Sequence, residues 1–119
     1  MSNTISVTGL GIICSIGNDA DSVLESLKKG ESGIGPMKYL QSKHSYLPVG
    51  EVKLSNEQMK DILGIKDKSP MSRTTLMGAI AIRQALEHAG MTVEQLNGKR
   101  VALISGTTVG GMDLTENYY

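Results

Sequence analysis

Apolar and polar positions along this chain follow two rhythms in turn. Residues 5–8 read Ile-Ser-Val-Thr, a period of two with β-branched side chains, and predict a first strand. A glycine-rich turn follows, with Gly9, Gly11 and Gly17 set among Leu10, Ile12, Ile13 and Ile16. Such a backbone suits a strand end where chain segments pack closely. A helical rhythm then places Val23, Leu24 and Leu27 on one stripe. Asn18 or Asp19 is positioned as N-cap, and Asp21 adds negative charge to the first turn. Lys28 and Lys29 occupy the last turn, and Gly30 stops the helix.

Residues 31–47 are polar, with Gly33, Gly35 and Pro36 inside and Pro48 just beyond, and predict a long surface loop. Residues 49–53 predict a short edge strand, weakened by Gly50. Ser55 and Gln58 have capping-box spacing. They open a helix whose apolar face is Met59, Ile62 and Leu63 and whose end is Gly64. A longer helix is expected over 70–89, with Pro70 at its first position and Gly90 after its end. Residues 76–82 are apolar or small almost all round, whereas Arg83, Gln84, Glu87 and His88 form a polar side. The first half should therefore be deeply buried and the second half-exposed. Residues 92–96 predict a short helical turn, and 101–104 a central strand buried on both faces. Strands alternating with helices imply an α/β fold, a mostly parallel sheet with flanking helices and right-handed crossovers. All 119 residues read as one domain segment without internal boundary or repeat.

Composition narrows the function classes. Twelve basic and 12 acidic residues cancel, so net charge gives no case for nucleic acid or an anionic membrane as partner. There are four Tyr, two of them at 118 and 119, and no Phe or Trp. Base-stacking platforms are therefore scarce, and seven Met give the core adaptable filling. A single Cys excludes an intrachain disulfide and fits a reducing, cytoplasmic setting. No charged segment leading into a long apolar run opens the chain, so no secretory leader is expected. The longest apolar or small run, 76–82, is too short to span a bilayer.

Two glycine-rich segments invite a nucleotide reading. In the first, the dinucleotide pattern begun by Gly9 and Gly11 would put its third glycine where Cys14 stands. The helix near Asn18 also starts too late to present its N-terminus to a pyrophosphate. In the second, Ser105-Gly106-Thr107-Thr108-Val109-Gly110-Gly111 follows a strand but lacks the Lys-Ser or Lys-Thr of a phosphate loop. Its place at a strand's C-terminal end suits either tight backbone packing or the wall of a ligand site. Cys14, among Ile12, Ile13 and Ile16, reads as a buried structural thiol, lacking a nearby His or helix N-terminus to activate it. His44 and His88 have no metal-ligand spacing, and Glu87 and His88 read as solvated. No cofactor and no metal is implied.

Three segments in order resemble the β-ketoacyl synthase family of thiolase-fold condensing enzymes. They are Val-Thr-Gly-Leu-Gly-Ile-Ile-Cys-Ser-Ile-Gly-Asn, with the helix ending Leu27-Lys28-Lys29-Gly30-Glu31-Ser32-Gly33-Ile34; Met71-Ser72-Arg73, leading to Ala85-Leu86-Glu87-His88-Ala89-Gly90; and 101–104 running into Ser-Gly-Thr-Thr-Val-Gly-Gly. The resemblance implies the opening, incomplete part of a thiolase-like domain. It implies a parent that performs decarboxylative Claisen condensation in fatty acid or polyketide synthesis, with acyl thioesters and acyl carrier protein as partners and a homodimer or heterodimer as assembly. The family's acyl-accepting cysteine and its two histidines fall past Tyr119. No catalytic residue is therefore expected here, and the chain alone is expected to be an inactive fragment. Val109 matches a position lining the acyl-chain pocket near the dimer interface. Gly110 and Gly111 match the glycines beside it, and Thr108 stands where some relatives carry glycine. Substrate contact is therefore expected at Thr108, Val109, Gly110 and Gly111. Two other readings stay open: a non-catalytic, chain-length-factor-like partner of a synthase, and a small nucleotide-binding module. Uncovered apolar surface on 76–82 and 101–104 is expected to make the isolated chain self-associate.

Overall fold

Local signals fix most helix ends in the structure, a computed structural model that describes residues 4–115. Tyr118 and Tyr119 lie outside the described residues. Helix α1 spans Ala20–Lys29 and α2 spans Asn56–Leu63. Asp19, not Asn18, caps α1: its carboxylate accepts the Ser22 amide at 2.8 Å, and the Ser22 hydroxyl reaches back to the Asp19 amide at 3.2 Å. Ser55 and Gln58 make the same reciprocal pair on α2, at 3.1 and 2.8 Å. Gly30 and Gly64 end these helices in the left-handed region, at φ 68° and 70°. A side chain there would strain the backbone.

Helix α3 spans Arg73–His88, three residues later than its expected start. The Ser72 hydroxyl accepts the Thr75 amide at 3.1 Å, so the cap lies at Ser72 and Pro70 stays outside the helix. A single 3₁₀ turn covers Glu94–Leu96. A four-residue helix α4, Met112–Thr115, has no counterpart among the elements expected from the sequence.

The core lies where α2 crosses α3. Met59 and Leu76 are fully buried and Ile80 nearly so, ringed by Ile13, Leu54, Leu63, Ile65, Met71 and Met77. Burial along 76–82 is narrower than expected: Leu76 and Ile80 are covered, but Gly78 and Ile82 are exposed. Helix α1 likewise buries Val23 and Ser26 and leaves Leu24 and Leu27 exposed. Ser26 donates to the Ile16 carbonyl at 2.7 Å, which docks α1 on the turn before it. Ile62, expected on the buried face of α2, is also exposed.

The sheet expectation meets its largest departure here. Among the described residues there is no strand ladder, only isolated antiparallel bridges between Cys14 and Gly17 and between Gly35 and Val49. The second takes the place of the edge strand expected over 49–53. Residues 5–8 and 101–104 carry no ladder, and Ile5 and Ile104 are 91% and 94% exposed. A parallel strand takes its hydrogen bonds and its cover from neighbours distant in sequence. None of the described residues supplies them.

Instead, the Gly9–Ile12 stretch lies along α3. The Leu10 amide donates to His88 Nδ1 at 3.1 Å and the Ile12 amide to Gln84 Oε1 at 2.9 Å. A Cβ on Gly9 would stand 2.0 Å from the Ala85 carbonyl oxygen, and one on Gly11 would stand 2.0 Å from that of Ala81. The two glycines and the two alanines are therefore one packing device.

Candidate functional site

The four residues expected to contact substrate fall in a single turn between the exposed 101–104 segment and α4. Gly111 has φ 88°, a conformation that favours glycine. Its carbonyl accepts the Leu114 and Thr115 amides at 3.1 and 3.4 Å and so begins α4. At Gly110 a Cβ would meet Thr107 Oγ1 at 2.8 Å and Thr74 Cγ2 at 3.1 Å. The turn therefore rests on the first turn of α3. Asp113 adds a second tie, its Oδ2 accepting the Arg73 amide at 2.8 Å. Thr108 and Val109 form the outer edge, with Val109 68% exposed. The structure thus brings Thr108, Val109, Gly110 and Gly111 together and turns the Val109 side chain outward.

Beneath this turn lies a polar lattice that sequence reasoning does not single out. The Arg73 guanidinium donates to the carbonyls of Leu54, at 2.8 Å, and Val52, and to Asn56 Oδ1 at 3.2 Å. It also stands over the Tyr39 ring, 5.7 Å from its centroid. Glu51, a buried carboxylate, accepts the backbone amides of Lys38, Tyr39 and Leu40. Burial pushes the Glu51 pKa up. The Leu40, Tyr39 and Lys38 amides and the Arg73 charge together outweigh it and hold the carboxyl below the ordinary glutamate value. Glu51 and Arg73, which meet at Tyr39, thus join the 38–40 loop, the 52–56 segment and the start of α3. The only sequence signals are an acidic residue within an expected strand and the Arg of Met71-Ser72-Arg73.

The remaining candidates sort themselves by their contacts. Cys14 is half-buried, in the tight turn that pairs it with Gly17. It is less enclosed than expected of a core thiol, because the cover lies on Ile13. His88 is exposed, as expected, and its Nδ1 also accepts the Leu10 amide. Glu87 pairs with Arg83 at 2.8 Å on an exposed surface. His44 meets Tyr46 edge-on, at 5.9 Å between ring centroids. Among the described residues no group of three or more His, Cys, Asp or Glu is placed to hold a metal ion. No described helix is long and apolar enough to cross a membrane. Gly9 and Gly11 face the backbone of α3, and the Asp19–Ser22 box occupies the start of α1. Packing and capping account for the first of the two glycine-rich segments.

Residues 2–119 match the family model of the β-ketoacyl synthase N-terminal domain. The chain belongs to that family, and with it to the thiolase-like synthase fold. It is 30% identical over 120 residues to nodulation protein E of Rhizobium meliloti, covering all of this chain and 29% of that protein. It is 31% identical over 112 residues to 3-oxoacyl-[acyl-carrier-protein] synthase 2 of Synechocystis, covering 93% of this chain and 26% of that protein. With synthase 1 of Haemophilus influenzae the identity is 32% over 105 residues, 87% of this chain and 25% of the relative. The chain thus spans less than a third of the length of the curated relatives it matches. No solved structure matches it significantly.

Proposed function

We propose that this chain is the N-terminal part of a 3-oxoacyl-[acyl carrier protein] synthase, and that its Thr108–Gly111 turn borders the acyl chain of the substrate. The observation that carries the reading is the family match over nearly the whole chain, with a relative of that name aligned over 93% of it. The geometry supports it locally. Gly110 and Gly111 hold a turn against α3 while the apolar Val109 side chain stands free to line a cavity. In the condensation, an acyl group held as a thioester on an enzyme cysteine is attacked by the carbanion left when a malonyl thioester loses carbon dioxide. The carbon–carbon bond forms as the cysteine thiolate departs.

In this reading the cysteine and its two histidine helpers lie outside the chain, so the chain alone is inactive. The exposed segments 5–8 and 101–104 become covered strands of a mostly parallel sheet. The assembly is a cytoplasmic dimer that receives substrate from an acyl carrier protein. The bare β-branched side chains at Ile5, Val7, Val101 and Ile104 support such a sheet, because exposed apolar runs of this kind are a template for pairing.

The test is condensation itself. The complete reading frame holding this chain, given an acyl thioester and malonyl-acyl carrier protein, should release carbon dioxide and form the 3-oxoacyl product, while the 119-residue chain forms none. Absence of product from the complete protein, alone and with a carrier, would overturn the enzyme reading in favour of a non-catalytic partner subunit.

A further inference from the structure

Resting on that reading, we infer that Asp113 is a positioning residue for the acyl chain. Its carboxylate fixes where Val109 stands by tying the turn to the first residue of α3.

Three observations converge on it. First, α4 starts directly at the turn, its described residues Met112–Thr115 following Gly111 without a spacer, so whatever fixes the first turn of α4 also fixes the turn. Second, Val109 is mostly exposed and the Gly110–Gly111 backbone beside it is permissive, so the outer edge has little packing to fix it. Third, the tie runs to the best-anchored point nearby. The first amides of a helix have no partner within it. Ser72 satisfies the Thr75 amide, and Asp113, 40 positions along the chain, satisfies that of Arg73. Arg73 is in turn held by Leu54, Val52 and Asn56 and by the face of Tyr39. The lattice on Glu51 and Arg73 thus reaches the substrate-facing turn through the Asp113–Arg73 hydrogen bond.

A wall held this way matters most to a ligand long enough to touch it. Removing the acceptor lets the turn move, and displacement of reacting or guiding groups by about an ångström is costly to catalysis. The effect should grow with acyl length, which a general loss of folding would not produce.

The experiment uses the complete protein and a series of acyl thioesters from short to long. Asp113→Ala should raise KM for long-chain donors about ten-fold and change KM for the shortest far less. Asp113→Asn keeps a carbonyl acceptor for the Arg73 amide and should restore most of the long-chain KM. If Asp113→Ala does not fold, Asp113→Glu, whose longer arm displaces the turn, carries the same length-dependent expectation. Equal losses at every length, or an Asn variant as impaired as the Ala variant, would overturn the inference. Val109→Phe in the same series separates the two claims. If Val109→Phe changes the length profile and the Asp113 variants do not, only the positioning role fails. If Val109→Phe also leaves it unchanged, the reading of the turn fails.

Discussion

Gly11 offers the sharpest test of the packing between the first segment and α3. Replacing it with Ala puts a methyl carbon 2.0 Å from the Ala81 carbonyl oxygen, 2.9 Å from its carbon and 2.8 Å from the Gln84 Cβ. Side-chain Cβ atoms do not come within 3.0 Å of such neighbours, so the gap is short by an ångström. The obstacle is helix backbone and cannot rotate away. Relief requires the 9–12 segment to lift. Overpacking of this kind costs about 1–3 kcal/mol. Lifting also breaks the Leu10–His88 and Ile12–Gln84 hydrogen bonds, each worth about 0.5–1.5 kcal/mol net. The loss should total about 2–6 kcal/mol, a large share of the ~5–15 kcal/mol that stabilises an ordinary domain.

Gly78, also on α3, provides the internal control. It sits mid-helix, and a Cβ added there would meet nothing within 4 Å. Gly78→Ala should therefore stabilise by about 0.5–1 kcal/mol. The assay is urea unfolding followed by circular dichroism. With a slope of ~1–3 kcal/mol/M, the two midpoints should differ by about 1 M or more, in opposite directions from wild type. Equal midpoints would refute the close approach of the first segment to α3.

Two further substitutions probe the core and the lattice. Leu76→Ala empties a fully buried site between α2 and α3 and should cost about 2–5 kcal/mol, read as a lower urea midpoint at unchanged slope. Glu51 sets an acid limit. Its folded pKa lies below the reference value of 4.5, so its stabilisation is complete above that value and is lost as pH falls through the folded pKa. Asp19, Glu57, Asp67 and Glu94 are lowered too, so wild type should lose stability steadily in acid. Glu51→Gln should be less stable near neutral pH and should show a shallower acid decline. Parallel curves for the two proteins would count against the Glu51 contacts.

The helices are legible in the sequence because their signals are local. Asp19 and Ser55 each bond an amide three residues on, and Gly30 and Gly64 relieve strain at their own positions. The two strands are legible only as tendency. Ile-Ser-Val-Thr and Val-Ala-Leu-Ile have the side chains of strands, but a strand's hydrogen bonds belong to its neighbours, and none among the described residues supplies them. The start of α3 is ambiguous in sequence because Pro70 and Ser72 both mark a first turn, and only the hydroxyl bond to Thr75 decides between them.

At the site, the grouping of Thr108, Val109, Gly110 and Gly111 follows from their adjacency in sequence. The support beneath them does not show. Tyr39, Glu51, Arg73 and Asp113 follow one another at steps of 12, 22 and 40 positions and come together only in the folded chain. Charge patterning along the sequence gives these four no distinction from solvated neighbours.

The most direct measurement of the central claim is the product-length profile of the complete protein as the bulk at position 109 changes. A wall residue should shorten the longest accepted chain in Val109→Phe and lengthen it in Val109→Ala. Preferences should shift by about ten-fold or more, the discrimination a hydrophobic pocket gives for small changes in volume. Identical profiles for both variants and wild type, with condensation intact, would contradict the placement of this turn against the acyl chain.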